Sequence, residues 1–223
     1  MTDPPELLAR DFWPILQLSL QVSGMAVLIA SVVGIPLGAW LGLSKSRLTP
    51  FVRVLVHTGM ALPPVVVGLV LYILLSRSGP LAFLGWLFTL QAMVAAQVIL
   101  ALPFVVGITT SAVAAVPREL PSQLRSLGAD EGQVRWTILG EARHGVLLAV
   151  AAAFGRSISE VGAVLIVGGN IQGHTRVLTT AIVLETSKGE FAFALSLGAA
   201  LLTLALGVNV LILRLHGSPP LHE

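Results

Sequence analysis

The sequence predicts an all-α protein, a polytopic membrane helix bundle with about five transmembrane helices. Three observations predict it. Of the 223 residues 55% are hydrophobic and 11% charged, with a mean hydropathy of +0.90, whereas soluble domains carry about 25% charged residues. Five apolar runs, at 15–43, 51–76, 90–116, 145–167 and 191–215, each reach the ~20 residues a helix needs to cross a ~30 Å hydrocarbon core. Basic residues also gather on alternate connections, as they do in multi-pass proteins.

Taken in order, residues 1–14 form a short acidic segment ahead of a run too long for a signal-peptide core, and are expected to remain as an extracytoplasmic tail. The first run, 15–43, is long enough to tilt or to begin at the interface. Gly34, Gly38 and Gly42 repeat at four-residue spacing within it, interrupted by Pro36, so another backbone can approach closely, either inside this bundle or at a subunit interface. Pro63-Pro64 is expected to kink the second run. His57, near one end of that run, reads as a packed or interfacial histidine, with no second histidine at metal-site spacing. The third run carries Gln97 and Ser111 fourteen residues apart, close to one helical face, and these bond to neighbouring helices or line a polar route.

The fourth run holds Arg156 and Glu160 at i, i+4, with Ser157 and Ser159 nearby. A lone charge at the bilayer centre costs about 2.5–3.5 kcal/mol on insertion scales. The two are therefore expected to neutralise one another, as a packing lock or as part of a polar path. After it come Gly168, Gly169, Asn170, Thr175 and Arg176, a glycine-rich stretch able to present donors to an anion or to serve as an ordinary outer loop. An amphipathic segment, 177–188, closes at Gly189 before the last run, and 216–223 form a tail.

Between the third and fourth runs lies the one large polar island, 118–143. Pro121 suits a first helical turn, Leu124 and Leu127 supply an apolar stripe, and Gly128 ends the helix. Asp130 caps a second helix with Gln133 three residues on, while Val134 and Ile138 give an apolar face beside Trp136. The product is a bent amphipathic hairpin suited to a groove on another protein. Lys45, Arg47, Arg53, Arg118, Arg125, Arg135, Arg143 and Arg214 fall on the hairpin's side of the membrane, against Arg10, Arg77, Arg176 and Lys188 on the other. The richer side is expected to be cytoplasmic, which puts the hairpin and C-terminus inside and the N-terminus outside.

The stretch Ser122-Gln123-Leu124-Arg125-Ser126-Leu127-Gly128-Ala129-Asp130, with Ile138 ten residues after the glycine, resembles the loop E-A-A-x3-G-x9-I-x-L-P of permease subunits of ABC importers. The glycine and isoleucine spacings match. Ser122 stands where glutamate is usual, Gln123 and Leu124 replace two alanines, and Gly140-Glu141 replace Leu-Pro. In the second half, Ser159-Glu160-Val161-Gly162-Ala163-Val164, Gly168-Gly169-Asn170-Ile171 and the stretch from Thr175 to Glu185 resemble permeases of oxyanion importers, the tungstate type first and the molybdate type next.

The likeness implies a type I ABC importer permease core over 15–215, with 118–143 as its cytoplasmic coupling loop, in the plasma (inner) membrane of a prokaryote. It implies a second copy of the chain, two copies of an ATP-binding subunit, an extracytoplasmic substrate-binding protein, and alternating access as the transport scheme. Coupling is then expected at Leu124, Arg125, Leu127, Gly128, Ala129, Asp130 and Gln133, and the route or gate at Gln97, Arg156, Ser157 and Glu160. The tetrahedral dianions tungstate, molybdate and sulfate are all candidates as cargo.

Other classes are weaker. No G-x-x-x-x-G-K-[ST] occurs and no glycine precedes a lysine, so no cofactor is expected on this chain, and ATP and Mg belong to the partner subunit. H-E-x-x-H and G-x-S-x-G are missing, and there is no cysteine for thiolate chemistry or disulfides. The scattered basic residues form no patch for nucleic acid despite a pI near 9.7. An ATP-independent carrier or channel with Arg156 and Glu160 as an ion relay is the competing class, but the halves show no inverted repeat.

Overall fold

The structure, a computed structural model, describes residues 4–44, 46–117 and 119–215, and side chains within these except 4–11, 212, 213 and 215. Lys45 and Arg118, the Arg10 side chain and the tail 216–223 lie outside the described residues. Among the described residues ten α-helices run in order: α1 (Pro4–Leu43), α2 (Thr49–Met60), α3 (Pro64–Leu75), α4 (Leu90–Ala114), α5 (Leu120–Ser126), α6 (Glu131–Glu141), α7 (Arg143–Ile158), α8 (Gly162–Gly168), α9 (Leu178–Ser187) and α10 (Phe191–Leu215). One 3-10 turn, Ala82–Leu84, precedes α4. Three helices are long and apolar enough to cross a membrane, or five if each of two bent pairs counts as one crossing.

The first run is one helix, and α1 begins at Pro4, within the segment read as a tail. At a ~1.5 Å rise per residue, its 40 residues are far longer than a hydrocarbon core requires. α1 packs in parallel on α4 through the glycine ladder. A Cβ on Gly34 would stand 2.9 Å from Val105, one on Gly38 2.7 Å from Thr109, and one on Gly42 2.7 Å from Val113. The ladder is thus spent inside the chain. It also opens a polar link, since the Thr110 hydroxyl donates to the Gly38 carbonyl at 3.2 Å and to Val106 O at 2.7 Å.

Pro63-Pro64 does more than kink the second run, because α2 and α3 meet at 94°. Two successive prolines remove two backbone donors and hold Pro63 extended at ψ 122. The fourth run is interrupted as well. α7 ends at Ile158, α8 starts at Gly162, and Arg156 and Glu160 flank the end of α7 instead of sitting inside one continuous span. α8 packs on α3 at near backbone distance, a Cβ on Gly68 falling 2.7 Å from Ala163 Cα.

Four apolar clusters hold these elements together. Val22, Val67, Leu71, Met93, Val164 and Val167 unite α1, α3, α4 and α8, and Val27, Ala30, Ala101, Val105 and Ala153 unite α1, α4 and α7. Ile15, Leu178, Ala181 and Leu197 join α1, α9 and α10. Val113, Val134, Ile138 and Ala142 tie α6 to the C-terminal end of α4, with Ala39 and Leu43 of α1 against them. Outward faces stay apolar, as at Leu28, Val32, Leu195 and Leu202, each more than half exposed, as expected where lipid replaces water.

Candidate functional site

The hairpin is built by short-range signals. Pro121 lies in the first turn of α5, and Gly128 reverses the chain at φ +87 with open space around its α-carbon. Gly128 N donates to Arg125 O and Ala129 N to Leu124 O, both at 3.0 Å, which satisfies carbonyls left open by the end of α5. Asp130 then caps α6 as the spacing predicts. Gln133 N donates to Asp130 Oδ1 and Asp130 N to Gln133 Oε1, each at 2.9 Å. Arg125 clasps Glu131 across the turn, Nε to Oε1 at 2.7 Å and Nη2 to Oε2 at 3.2 Å. This bond raises the Arg125 pKa and holds the Glu131 carboxyl below the usual carboxylate range.

Two of the hairpin's faces differ sharply. Val134 and Ile138 are each only 1% exposed, and Leu124 and Ala129 pack beside them. Leu127 does not continue the stripe begun by Leu124. Helix α5 stops at Ser126, the chain turns at Gly128, and Leu127 is left 85% exposed. Trp136 also points away, 76% exposed, because residues two apart on a helix do not share a face. Arg125, Gly128, Asp130 and Gln133 are exposed, so Leu127 and Trp136 stand as apolar knobs on a polar surface.

At the α7–α8 break the structure brings four predicted residues together. Arg156 Nη1 donates to Glu160 Oε2 at 2.7 Å, with the Arg156 side chain 26% exposed and that of Glu160 4%. Glu160 Oε1 accepts from Ala163 N at 3.0 Å in the first turn of α8, and the Glu160 carbonyl accepts from Thr179 Oγ1 at 2.8 Å. Gln97 of α4 reaches across, its Nε2 donating to Ser157 O at 3.1 Å. Gln97 Oε1 and Ser157 Oγ are buried without a hydrogen-bond partner among the described residues. Ser111 does not join them. Its side chain is on an exposed face and bonds to Gly107 O, and at a ~1.5 Å rise per residue it lies about 21 Å along the helix from Gln97.

The glycine-rich stretch is a knotted turn. Gly169 and Asn170 take φ +72 and +52 in succession, and Gly173 φ +76. Thr175, 1% exposed, accepts from Ile171 N at 2.9 Å and donates to Gly168 O at 2.6 Å. Asn170 Nδ2 donates to Thr180 O at 3.3 Å, while Arg176 stays partly exposed, its Nε without a partner among the described residues. Thr179, Thr180 and Ser19 escape sequence reasoning, although all are buried and bonded. A threonine pair in the first turn of an amphipathic helix was the one available signal. Among the described residues no group of three or more His, Cys, Asp or Glu could hold a metal.

Comparison with known proteins agrees with this architecture. The chain is 44% identical over 207 residues to a probable anion ABC transporter permease protein of Haloferax volcanii, covering 91% of this chain and 89% of that one. It is 42% identical over 203 residues to the tungstate uptake system permease protein TupB of Peptoclostridium acidaminophilum, with the same coverage. A chain of the inward-facing MetNI methionine ABC transporter superposes with a TM-score of 0.75 at 21% identity, covering 97% of this chain and 98% of that one, which shows the fold to be that of a type I ABC importer permease. Residues 34–218 match the model of the family described as binding-protein-dependent transport system inner membrane component, and with that match the chain belongs to this family of multi-pass transport permeases.

Proposed function

We propose that this chain is the membrane gate of an ATP-driven importer for a tetrahedral oxyanion, with tungstate as cargo. The observation that carries the cargo is the 42% identity, over nine-tenths of the chain, to a tungstate uptake permease. Two copies of the chain pair around a central path. An extracytoplasmic binding protein delivers the anion to the face carrying Gly168, Gly169, Asn170, Thr175 and Arg176. With α5, α6 and the C-terminus in the cytoplasm and the N-terminus outside, the support for this orientation is the excess of basic residues beside the hairpin.

Each hairpin docks an ATPase subunit through its exposed face, with Leu127 and Trp136 filling apolar pockets and Arg125, Gly128, Asp130 and Gln133 forming the polar rim. The other face is bonded by packing to α1 and α4. When ATP draws the two ATPases together, the hairpin moves as a stiff piece and carries those helices with it, exchanging inward for outward access. The route passes the α7–α8 break, where Gln97, Arg156, Ser157 and Glu160 interrupt an apolar lining. Neither ATP nor Mg binds this chain.

The test is reconstitution of the chain with its ATPase and binding protein in proteoliposomes. Uptake of radiolabelled tungstate that requires ATP and both partners is the expected result. Preference for molybdate or sulfate would reassign the cargo, and uptake by this chain alone without ATP would overturn the assignment.

A further inference from the structure

Resting on that route, we infer that Glu160 is a built-in competitor for the transported dianion: it occupies Arg156 between passages and the anion displaces it. The two partners of this ion pair are held very unequally. Glu160 is fixed three times over, by Ala163 N on Oε1, by its own N–H on Ser157 O at 3.2 Å, and by Thr179 on its carbonyl. Among the described residues, the Arg156 side chain bonds to Glu160 Oε2 alone. Arg156 is also the partner within reach, a quarter exposed against 4% for Glu160. Arg156 can therefore swing toward an arriving anion while Glu160 stays in place.

The residue that follows Arg156 carries an unbonded hydroxyl on a different face of the helix. The Ser157 hydroxyl, on the next residue and 97% buried by its 3% exposure, has no partner among the described residues. Gln97 Nε2 on Ser157 O holds this turn of α7 against α4. The planar guanidinium of Arg156 by itself presents the paired donors that a tetrahedral oxyanion takes.

The exchange explains how a dianion crosses without being trapped. At rest the pair is neutral, so no unpaired charge sits inside the membrane. An anion that takes Arg156 leaves a buried carboxylate unpaired, and this lowers its net affinity. When Glu160 reclaims Arg156, the anion is expelled, which keeps the stop weak enough for onward movement.

The experiment uses the permease–ATPase complex in nanodiscs, with radiolabelled tungstate binding measured by equilibrium dialysis without ATP or binding protein, alongside uptake turnover in proteoliposomes. Glu160→Gln removes the competing charge and keeps an amide oxygen for Ala163 N. It should tighten tungstate binding at least tenfold and slow turnover severalfold, and adding Arg156→Gln should abolish the tight binding. Slower turnover with unchanged or weaker binding would reveal a purely structural pair and overturn the inference, as would tight binding that survives the double substitution. Should Glu160→Gln not assemble, Glu160→Asp, which retracts the carboxylate from Arg156, should tighten binding in the same direction, and its failure to do so counts equally against the inference. If the wild-type complex imports molybdate or sulfate, that anion replaces tungstate as the probe. Wild-type uptake of none of the three sinks the proposed function itself, and with it the exchange.

Discussion

Ile138→Ala tests whether the hairpin acts as a stiff piece. Ile138 is 1% exposed and lies with Val134, Val113 and Ala142 where α6 meets α4. Truncation to alanine removes three carbons from a closed cluster, and such changes cost about 2–5 kcal/mol. If that cost falls on the docked position of the hairpin, its occupancy relative to a loosened state drops roughly 30- to 4,000-fold, since each 1.4 kcal/mol is tenfold. The face bearing Leu127 and Trp136 is untouched, so ATPase binding should survive while force is no longer passed on. The assay is the number of anions imported per ATP hydrolysed in proteoliposomes, with ATPase co-purification as the control. The expected outcome is normal co-purification, retained hydrolysis and a fall of at least tenfold in anions per ATP. An unchanged ratio would refute the argument that α6 drives α4 through this cluster.

Three further predictions concern other positions. Gly128→Val places a β-branched residue at φ +87, a strain of about 1–3 kcal/mol; ATPase affinity, measured by titration on nanodiscs, should fall about 5- to 150-fold with membrane insertion unchanged. Gly38→Leu drives a side chain into Thr109 and Val106 O, 2.7 and 2.8 Å from the new Cβ; overpacking of about 1–3 kcal/mol or more should lower the melting temperature in detergent, whereas Gly24→Leu, whose Cβ meets nothing within 4 Å beyond its own helix backbone and chain neighbours, should not. The Glu131 carboxyl is depressed by its bond to Arg125, so the stabilisation it gives is present above the unfolded value near ~4.3 and is lost as pH falls through the lower folded value. Hydrogen exchange of residues 120–141 should therefore be faster in Glu131→Gln than in wild type at pH 7, with the difference closing as pH falls through the lowered carboxyl value.

The hairpin was legible because its determinants are local. A capping box spans three residues, Gly128 needs only its own φ, and the i, i+4 pair Val134 and Ile138 marks the buried face. The α7–α8 break was not legible. Residues 145–167 form an apolar run without proline, and what holds the break open is long-range: Thr179 on the Glu160 carbonyl and Gln97 on the Ser157 carbonyl. The Arg156–Glu160 pairing could still be foreseen from its spacing, although the helix ends between the two. Pro63-Pro64 announced a bend but not its 94°, because packing of α3 on α8 and α4 fixes the angle. The glycine ladder left two partners open, and only tertiary structure could assign it to α4.

The near-touch of Gly68 on Ala163 has a mechanical corollary. Where two main chains meet with no side chain between them, there is no flexible padding to absorb sliding, so the stubs on either side of that seam must travel together. Any opening that admits cargo has to form along a different boundary.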